Sequence, residues 1–338
     1  MSTIDVHTLF PYSVQVESGF ASFNSLRALA YGRKAAIITD TNVAPLYGDC
    51  LDAYLVGRDV VKIVIEAGEA HKSPAEYLMI LNRLAEAGFT RNDTVIALGG
   101  GVIGDLAGFA ASTYMRGVRF INIPTSLLAM VDSAVGGKTA INIDYGKNLC
   151  GTFYQPVQVL ENVDFLATLP PREMLCGWGE IIKYAFLSPS VTLTDLQGDV
   201  TPSLIAKCVQ IKVDVVSRDE REAGARRLLN LGHTVGHAIE RLSGFTLSHG
   251  ECVVKGLAAI LEVSRRYYKL SDETYQKALA IISSKGHDIT NPFGKDAVMA
   301  EISRDKKSDA DGISLVLIGE DLAAHVVHLT YRQVEALL

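Results

Sequence analysis

Apolar positions recur along this chain with two different periods, and the change of period divides it. Residues 12 to 17, YSVQVE, alternate apolar and polar side chains as a half-buried strand does. AAIIT (35 to 39) is a short continuous apolar run ended by Asp40, Thr41 and Asn42, and DVVKIVI (59 to 65) is the next strand. A helix is predicted from Ser73, which can N-cap, with Pro74 at the first helical position and Glu76 placed to complete a capping box. Its buried stripe is Tyr77, Leu78, Leu81, Leu84 and Ala85, and Gly88 suits its C-terminal stop. TVIAL (94 to 98), a glycine-rich turn, an apolar helix to about Tyr114 and VRFINI (118 to 123) follow. Strands alternating with helices of crossover length predict a parallel sheet covered on both faces, with ligands at the carboxyl ends of the strands.

After about residue 165 helical patterns dominate. Pro170 and Pro171 mark the boundary. Helices are predicted at roughly 172 to 187, 203 to 219, 228 to 242, 250 to 268, 272 to 284 and 296 to 303. ISLVLI (313 to 318) and AAHVVHL (323 to 329) read as a short strand pair before a last helix. The expected fold is an α/β N-terminal domain with a parallel nucleotide-binding sheet, residues 1 to 168, followed by a mainly α-helical C-terminal domain, residues 169 to 338. The expected ligand site is the cleft between them.

Composition changes this picture little. A chain of 338 residues, 48% hydrophobic and 21% charged, has the length for two domains and the make-up of a globular protein. A net charge of −6 gives no general attraction to nucleic acid or anionic membrane, so an anionic substrate needs a local basic cluster. The cysteines, Cys50, Cys150, Cys176, Cys208 and Cys252, are odd in number, scattered and without a CxxC, which reads as reduced thiols in a cytoplasmic protein. The first residues lack the pattern of a signal peptide, and no uninterrupted apolar run reaches the roughly 18 residues of a membrane span.

Candidate chemistry concentrates in residues 226 to 251, RRLLNLGHTVGHAIERLSGFTLSHGE, where three of the eight histidines fall. Read as a helix, this stretch puts Arg226, Asn230, His233 and His237 within an arc of about 60°. Gly232 and Gly236 interrupt it, each at a cost of about 1 kcal/mol relative to alanine. A solvated polar face gains nothing from them, whereas close approach of a ligand or another backbone explains both. Histidines at i and i+4, with His249 following, point to metal. Thr234 excludes the metalloprotease HExxH. In GWGEIIKYAF (177 to 186), Glu180 and Lys183 share a helix face. They are either a surface ion pair or, given the apolar company, a buried pair whose carboxylate completes a His₂Glu site.

Two glycine-rich stretches add anion chemistry. LGGGVIGDLAG (98 to 108) satisfies GxGxxG with Gly99, Gly101 and Gly104 at a strand-to-helix turn, where free N–H groups and the helix dipole suit a pyrophosphate. Asp105 is unusual beside a phosphate unless it does something specific. VDSAVGGKTAINIDYGKNLCG (131 to 151) holds two glycine–lysine turns, at Lys138 and at Lys147 and Asn148. Neither is a P-loop, because Asp132 stands where the first glycine belongs. They are phosphate or carboxylate contacts or plain surface turns.

Together LGGGVIGDLAGFAASTYMRG, IPTSLLAMVDSAVGGKTAIN, GKNLCGTFYQP, GEIIKYA, RRLLNLGHTVGHAIE and SHGE resemble the 3-dehydroquinate synthases of the sugar phosphate cyclase family. The resemblance spans about residues 66 to 251, in order. It implies a lyase dependent on NAD and a divalent metal, most simply zinc, with cobalt an alternative. Such an enzyme converts 3-deoxy-D-arabino-heptulosonate 7-phosphate to 3-dehydroquinate and phosphate. Transient oxidation of an alcohol acidifies the adjacent C–H for phosphate elimination; reduction, ring opening and an aldol closure follow. By the same resemblance Glu180, His233 and His249 are metal ligands. Gly101, Val102, Ile103, Gly104 and Asp105 form the pyrophosphate loop, and Asp40, Asn42, Glu69 and Lys72 serve the nucleoside. Thr125, Ser126, Lys147, Phe165 and Thr168 are further cofactor contacts, and Lys138 lies between cofactor and substrate. Asp132, Asn148, Lys183, Lys212, Arg226, Asn230 and His237 line the substrate pocket, with His237 a proton relay or else a further metal ligand. Arg116 matches a phosphate contact made across a homodimer, and one of Lys306 and Lys307 adds another contact. Two departures stand out: Ser126 replaces a common threonine, and Lys255 interrupts an apolar run.

Three rival readings remain at this level. An iron-type polyol dehydrogenase shares the two-domain plan but would show Asp as first ligand and lacks the glycine–lysine turns. A sister cyclase of the 2-deoxy-scyllo-inosose or valiolone type would differ in the pocket, and Lys212, Arg226, Asn230 and His237 favour the dehydroquinate substrate. A binding protein without turnover would not need every pocket lysine.

Overall fold

The computed structural model describes residues 1–222, 224–305 and 312–338. Its strands are β1 (Ser2–Val6), β2 (Tyr12–Glu17), β3 (Lys34–Asp40), β4 (Asp59–Ile65), β5 (Thr94–Gly99), β6 (Arg119–Pro124), β7 (Lys138–Ile143), β8 (Gly146–Phe153), β9 (Gln158–Asn162), β10 (Ile313–Ile318) and β11 (Ala324–Leu329). Its helices are α1 (Leu26–Leu29), α2 (Ala44–Tyr47), α3 (Pro74–Glu86), α4 (Gly101–Thr113), α5 (Pro171–Tyr184), α6 (Leu193–Gln197), α7 (Pro202–Arg218), α8 (His233–Leu242), α9 (His249–Tyr268), α10 (Asp272–Ile282), α11 (Lys295–Asp305) and α12 (Tyr331–Leu337). Among the described residues no helix is long and apolar enough to cross a membrane. The five cysteines are free thiols.

The chain divides into two compact units, Met1–Leu169 with Thr201–Glu220, and Pro170–Val200 with Arg221–Leu338. The α7 helix, which sequence order places among the later helices, thus clusters with the first unit. Its apolar stripe, including Leu204, Ile205, Cys208 and Val216, packs on β1, β2 and a π-helical turn at Ala129–Ser133. An amphipathic stripe says that a helix needs a surface to cover. It does not say which one.

In the first unit the seven-stranded sheet has the order β1-β2-β9-β6-β5-β3-β4. Every pairing is parallel except β1 with β2. The parallel sheet expected from the strand–helix alternation is therefore present, with one antiparallel edge. From β3 the chain steps outward to β4, then crosses back past β3 to β5 and continues through β6 to β9. The direction reverses between β3 and β5, so the crevice for a ligand opens at their carboxyl ends, at Asp40 and at Gly99. One face is covered by α3 and α4, whose Ile80, Leu84, Leu106, Ala107 and Ala110 pack on Ile38, Ile63, Val95 and Phe120. Ser73 caps α3 as expected, accepting from the Glu76 N–H at 3.3 Å. The capping box forms only in half, because the Glu76 carboxylate turns to His71 Nδ1, 3.3 Å away.

The second unit is built around α9, which packs against α5, α8, α10, α12 and β10. Ser248 and Glu251 close a capping box at its start. The β10–β11 pair forms as the sequence pattern predicts. The continuous helix expected from Arg226 does not form. Ala225–Asn230 is a 3₁₀ turn, Gly232 is left-handed with φ 78°, and α8 begins at His233. Arg226 and Asn230 consequently do not share the helical face of His233 and His237. A Cβ on Gly232 would lie 2.9 Å from the Val253 carbonyl oxygen, and one on Gly236 would lie 2.9 Å from that of Cys252. Close approach to another backbone, that of α9, accounts for both glycines.

One buried group is out of keeping with its surroundings. Glu161 on β9 is 0% exposed, and among the described residues neither carboxylate oxygen has a hydrogen-bond partner. Burial pushes its pKa well above the usual carboxylate range. The unfolded chain therefore releases this proton first as pH rises. Stability is greatest below the ordinary carboxylate pKa and falls as pH climbs towards the raised folded value, by up to about 1.4 kcal/mol per pH unit. Glu161→Leu should raise the melting temperature at pH 8, with the gain shrinking towards pH 4.5. A gain independent of pH would show that Glu161 is not held as the neutral acid.

Candidate active site

In the second unit, helices meet backbone to backbone. A Cβ on Gly179 of α5 would lie 2.5 Å from the carbonyl oxygen of Gly250 on α9, and a Cβ on Gly250 would run into the Cys176 carbonyl. Gly256 makes the same kind of contact with Gly232. Each crossing glycine has a polar neighbour in sequence: Gly179 precedes Glu180, Gly232 precedes His233, and Gly250 follows His249. Close crossing therefore converges these side chains. Glu180 Oε1 is 3.2 Å from His233 Nε2 and 3.1 Å from His249 Nε2. Lys183 pairs with the other carboxylate oxygen, and both side chains are essentially buried. His237 completes the group, with its ring centre 5.4 Å from that of His233 and 5.8 Å from that of His249.

The donor set fits a divalent metal. His233 Nδ1 lies 3.0 Å from the Leu231 carbonyl oxygen, and His249 Nδ1 lies 3.6 Å from Glu240 Oε2. Acceptors at Nδ1 keep the proton there and leave Nε2 as the ligating atom. Two Nε2 lone pairs and a carboxylate oxygen cannot stay this close without a cation between them, either a proton or a metal ion. Without metal, protons do this work. Burial opposes a charge on His249, but Glu180 and Glu240 together outweigh it and raise its pKa to about 10. His237 goes the other way, to about 3, through burial and the neighbouring His233 and His249. Burial also opposes the Glu180 carboxylate, but Lys183, His233 and hydrogen bonds from both histidines hold it well below the usual range. The ligand nitrogens of His233, His237 and His249 all lie within 4.8 Å of one another. His237 is thus within reach of the same ion.

Arg226 is buried in the 3₁₀ turn, and Asn230 Nδ2 donates to Glu222 Oε1 at 2.8 Å. Lys306 and Lys307 lie outside the described residues. Glu240 was not among the sequence candidates, although its signal was legible: with His233 and His237 it continues one helical face at spacings of four and three.

In the first unit, the glycine turn packs tightly under two serines. A Cβ on Gly101 would lie 2.9 Å from Ser133 Oγ, one on Gly100 3.4 Å from Ser126 Oγ, and one on Gly104 3.2 Å from the Asn122 amide. Val102 and Ile103 continue into α4, with Ile103 in the core. Asp105 has the partner its position demanded: it pairs with Lys72, which also binds Asn148 Oδ1. Burial still lifts the Asp105 pKa, against the pull of Lys72. Asn142, another residue missed in sequence, ties this network together. Its Nδ2 donates to Glu69 Oε1 at 2.8 Å, and its Oδ1 accepts from the Asn148 N–H at 3.0 Å. No signal in the sequence marks Asn142, because it depends on the β7–β8 hairpin. Lys138 opens β7 and Lys147 lies near the start of β8, so the two glycine–lysine turns flank one hairpin.

Lys212 on α7 donates to Asp132 Oδ1 at 2.7 Å, which ties α7 to the π-helical turn that carries Asp132. Asp40 Oδ1 accepts the N–H groups of Asn42 and Val43, both at 2.9 Å, while Asn42 itself is exposed. Thr125 is buried and its N–H donates to Gly99. The ring of Phe165 is in the core against Tyr47, at 4.6 Å between centres, and the Tyr47 hydroxyl meets Thr168 Oγ1 at 2.8 Å. Phe165 therefore faces other aromatic rings and offers a ligand only its backbone. Arg116 is exposed and left-handed, with φ 65°.

Lys183 compensates a carboxylate that a bound dication would also compensate. Breaking a buried pair costs about 3–5 kcal/mol. Lys183→Met should therefore lower the melting temperature of metal-stripped protein more than that of zinc-loaded protein. Equal losses in both forms would separate Lys183 from the metal site.

Residues 62–176 match the family model described as 3-dehydroquinate synthase N-terminal, and residues 177–308 match 3-dehydroquinate synthase C-terminal. The chain is 41% identical over 337 residues to a 3-dehydroquinate synthase of Latilactobacillus sakei subsp. sakei (strain 23K), covering 94% of this chain and 92% of the relative. It is 42% identical over 305 residues to that of Caulobacter vibrioides (strain NA1000 / CB15N), covering 84% and 82%. Among solved structures it resembles ValA, a 2-epi-5-epi-valiolone synthase from Streptomyces hygroscopicus subsp. jinggangensis 5008 with NAD+ and Zn2+ bound. The TM-score is 0.85 at 28% identity, over 96% of this chain and 95% of that one. A 2-deoxy-scyllo-inosose synthase complexed with carbaglucose-6-phosphate, NAD+ and Co2+ shares the fold, with a TM-score of 0.89 at 22% identity over 99% of both chains. With both family models matched in order across most of its length, the chain belongs to the 3-dehydroquinate synthase family.

Proposed function

We propose that this chain carries out the conversion of 3-deoxy-D-arabino-heptulosonate 7-phosphate to 3-dehydroquinate and phosphate. The activity class, a phosphate-eliminating, carbocycle-forming lyase of the shikimate pathway, follows from family membership. The observation that carries the assignment of residues is the convergence of His233 and His249 on Glu180. When bound, NAD supplies a reversible hydride acceptor and a divalent ion, zinc in this reading, acidifies the substrate hydroxyls it holds.

The chain's own residues bind, orient and move protons. Gly101, Val102 and Ile103 offer N–H groups at the start of α4 to a pyrophosphate, while Gly104, whose N–H donates to the Gly100 carbonyl, packs the helix closely on Asn122. Asp105 is held by Lys72, which removes an uncompensated carboxylate from beside that phosphate. Asp40, fixed by the backbone it caps, keeps an acceptor for a ribose hydroxyl at the end of β3, with Asn42, Glu69 and Lys72 around the nucleoside. Thr125, Ser126, Lys147, Thr168 and the backbone of Phe165 complete the cofactor contacts. Lys138, Lys183, Lys212 and Arg226 supply the local positive charge that a chain of net charge −6 must concentrate to hold an anionic sugar phosphate. Asp132, Asn148 and Asn230 orient its hydroxyls. His237, one helical turn from His233, passes a proton during elimination or ring opening. Arg116 reaches the phosphate of the neighbouring copy in a cytoplasmic homodimer.

Phosphate release from the heptulosonate phosphate should require both NAD and metal, should stop on chelation and should accumulate no net NADH. NADH accumulation with a polyol and no phosphate release would favour dehydrogenase chemistry instead. His249→Ala should lose stoichiometric metal. Full occupancy by metal analysis would move the site to another ligand set, such as one using His237.

A further inference from the structure

Lys255 has no part in the chemistry above, yet it is a buried charge with hydrogen bonds to three oxygens. It lies on α9, about two helical turns beyond His249, and is only 4% exposed. An ammonium buried to this degree needs all its protons engaged. Lys255 Nζ meets the Asp288 carbonyl oxygen at 2.7 Å, Asp288 Oδ2 at 2.8 Å and the Thr290 carbonyl oxygen at 2.8 Å. Three donors thus have three acceptors, all on the segment that follows α10.

That same segment grips α5. His287, also buried, meets the Leu175 carbonyl oxygen through Nε2 at 2.9 Å. Its Nδ1 has no partner among the described residues, so the ring is a neutral donor. Lys285 Nζ sits 3.8 Å from the centre of the Trp178 ring and donates to the Gly198 carbonyl at 2.5 Å. Residues 285–290 therefore touch α5 on the turn that leads into Glu180, and touch α9 beyond His249. Between these points α5 and α9 meet at Gly179 and Gly250, backbone against backbone. Helices normally lock in register by setting ridges of side chains into grooves. A glycine crossing sets the distance between axes but has no ridge, so it resists sliding poorly. Directional hydrogen bonds to both helices supply what it lacks.

We infer that Lys255 is a positioning residue: its bridge to residues 288 and 290, with His287 on the same segment, clamps α9 to α5 and fixes His249 against Glu180. Ligand atoms must be held to about 0.5 Å for productive geometry, and a slip of α9 along α5 would move His249 by that much or more. The inference rests on the metal reading proposed above.

The test uses the full chain and zinc in competition with a chelator, together with melting of the metal-free protein. Lys255→Met should weaken zinc binding about 10-fold or more. Asp288→Ala, which leaves both carbonyl contacts, should weaken it less. His287→Leu attacks the same clamp from the α5 side, and its effect should not add fully to that of Lys255→Met. Should Lys255→Met fail to fold, His287→Leu and Asp288→Ala carry the test. If the variants melt earlier without metal but bind zinc as tightly as wild type, the segment is a structural support only and the inference fails alone. Wild type lacking stoichiometric zinc would overturn the metal reading and this inference together.

Discussion

Backbone contact at a few glycines is the constraint on which the second unit depends. At Gly179, Gly232, Gly236, Gly250 and Gly256 the helices α5, α8 and α9 approach too closely for any side chain to intervene. Packing of this kind has an electrostatic consequence. It brings a carboxylate, a lysine and three imidazoles into a space with little water to screen them. Such a group is tolerable only if its charges balance. In the metal-free protein Lys183 and the histidine protons balance Glu180, and a dication can replace those protons. The glycines each cost helix stability. Their return is not apolar burial but the convergence of Glu180, His233 and His249.

The first unit obeys a different rule. Its sheet reverses connection direction between β3 and β5, and the reversal locates the crevice before any side chain is considered. Around it, cationic side chains are already held by acids and amides: Lys72 by Asp105 and Asn148, Lys212 by Asp132. A lysine held in this way loses less conformational freedom when an anion arrives than one swinging in water. The π-helical turn carries Asp132 and the hairpin carries Asn148, and α7 clusters with this unit rather than with its sequence neighbours because Lys212 and its apolar stripe both find their surface there.

Much of this was legible from residue order. The strands YSVQVE and DVVKIVI, the α3 start at Ser73 and Pro74, and the β10–β11 pair follow from periodicity and caps, which are local. The glycine turn was legible because three glycines at a strand-to-helix junction act within one turn of helix. Glu180, His233 and His249 were legible as types, since the histidines are few and clustered and Glu180 stands in an apolar stretch. Other features were not. The hairpin of β7 and β8 carries glycines, lysines and exposed side chains with little alternation, so no local period announces it. QVLEN becomes a wholly buried strand in spite of its polar residues because its neighbours on both sides of the sheet cover it. The break at Gly232 was hidden because the pattern from Arg226 onward fits a helix, and only the Val253 carbonyl of another helix makes the left-handed turn necessary.

Sequence by itself determined most of the helices and strands, the family and the chemical types in the site, because these depend on spacing along one chain. Tertiary structure alone decided which partner each side chain would find: Lys72 with Asp105, Lys255 with the segment beyond α10, and the Phe165 ring with Tyr47. These pairings join residues tens of positions apart. Their energy depends on distance and burial, and neither quantity exists until the chain has folded.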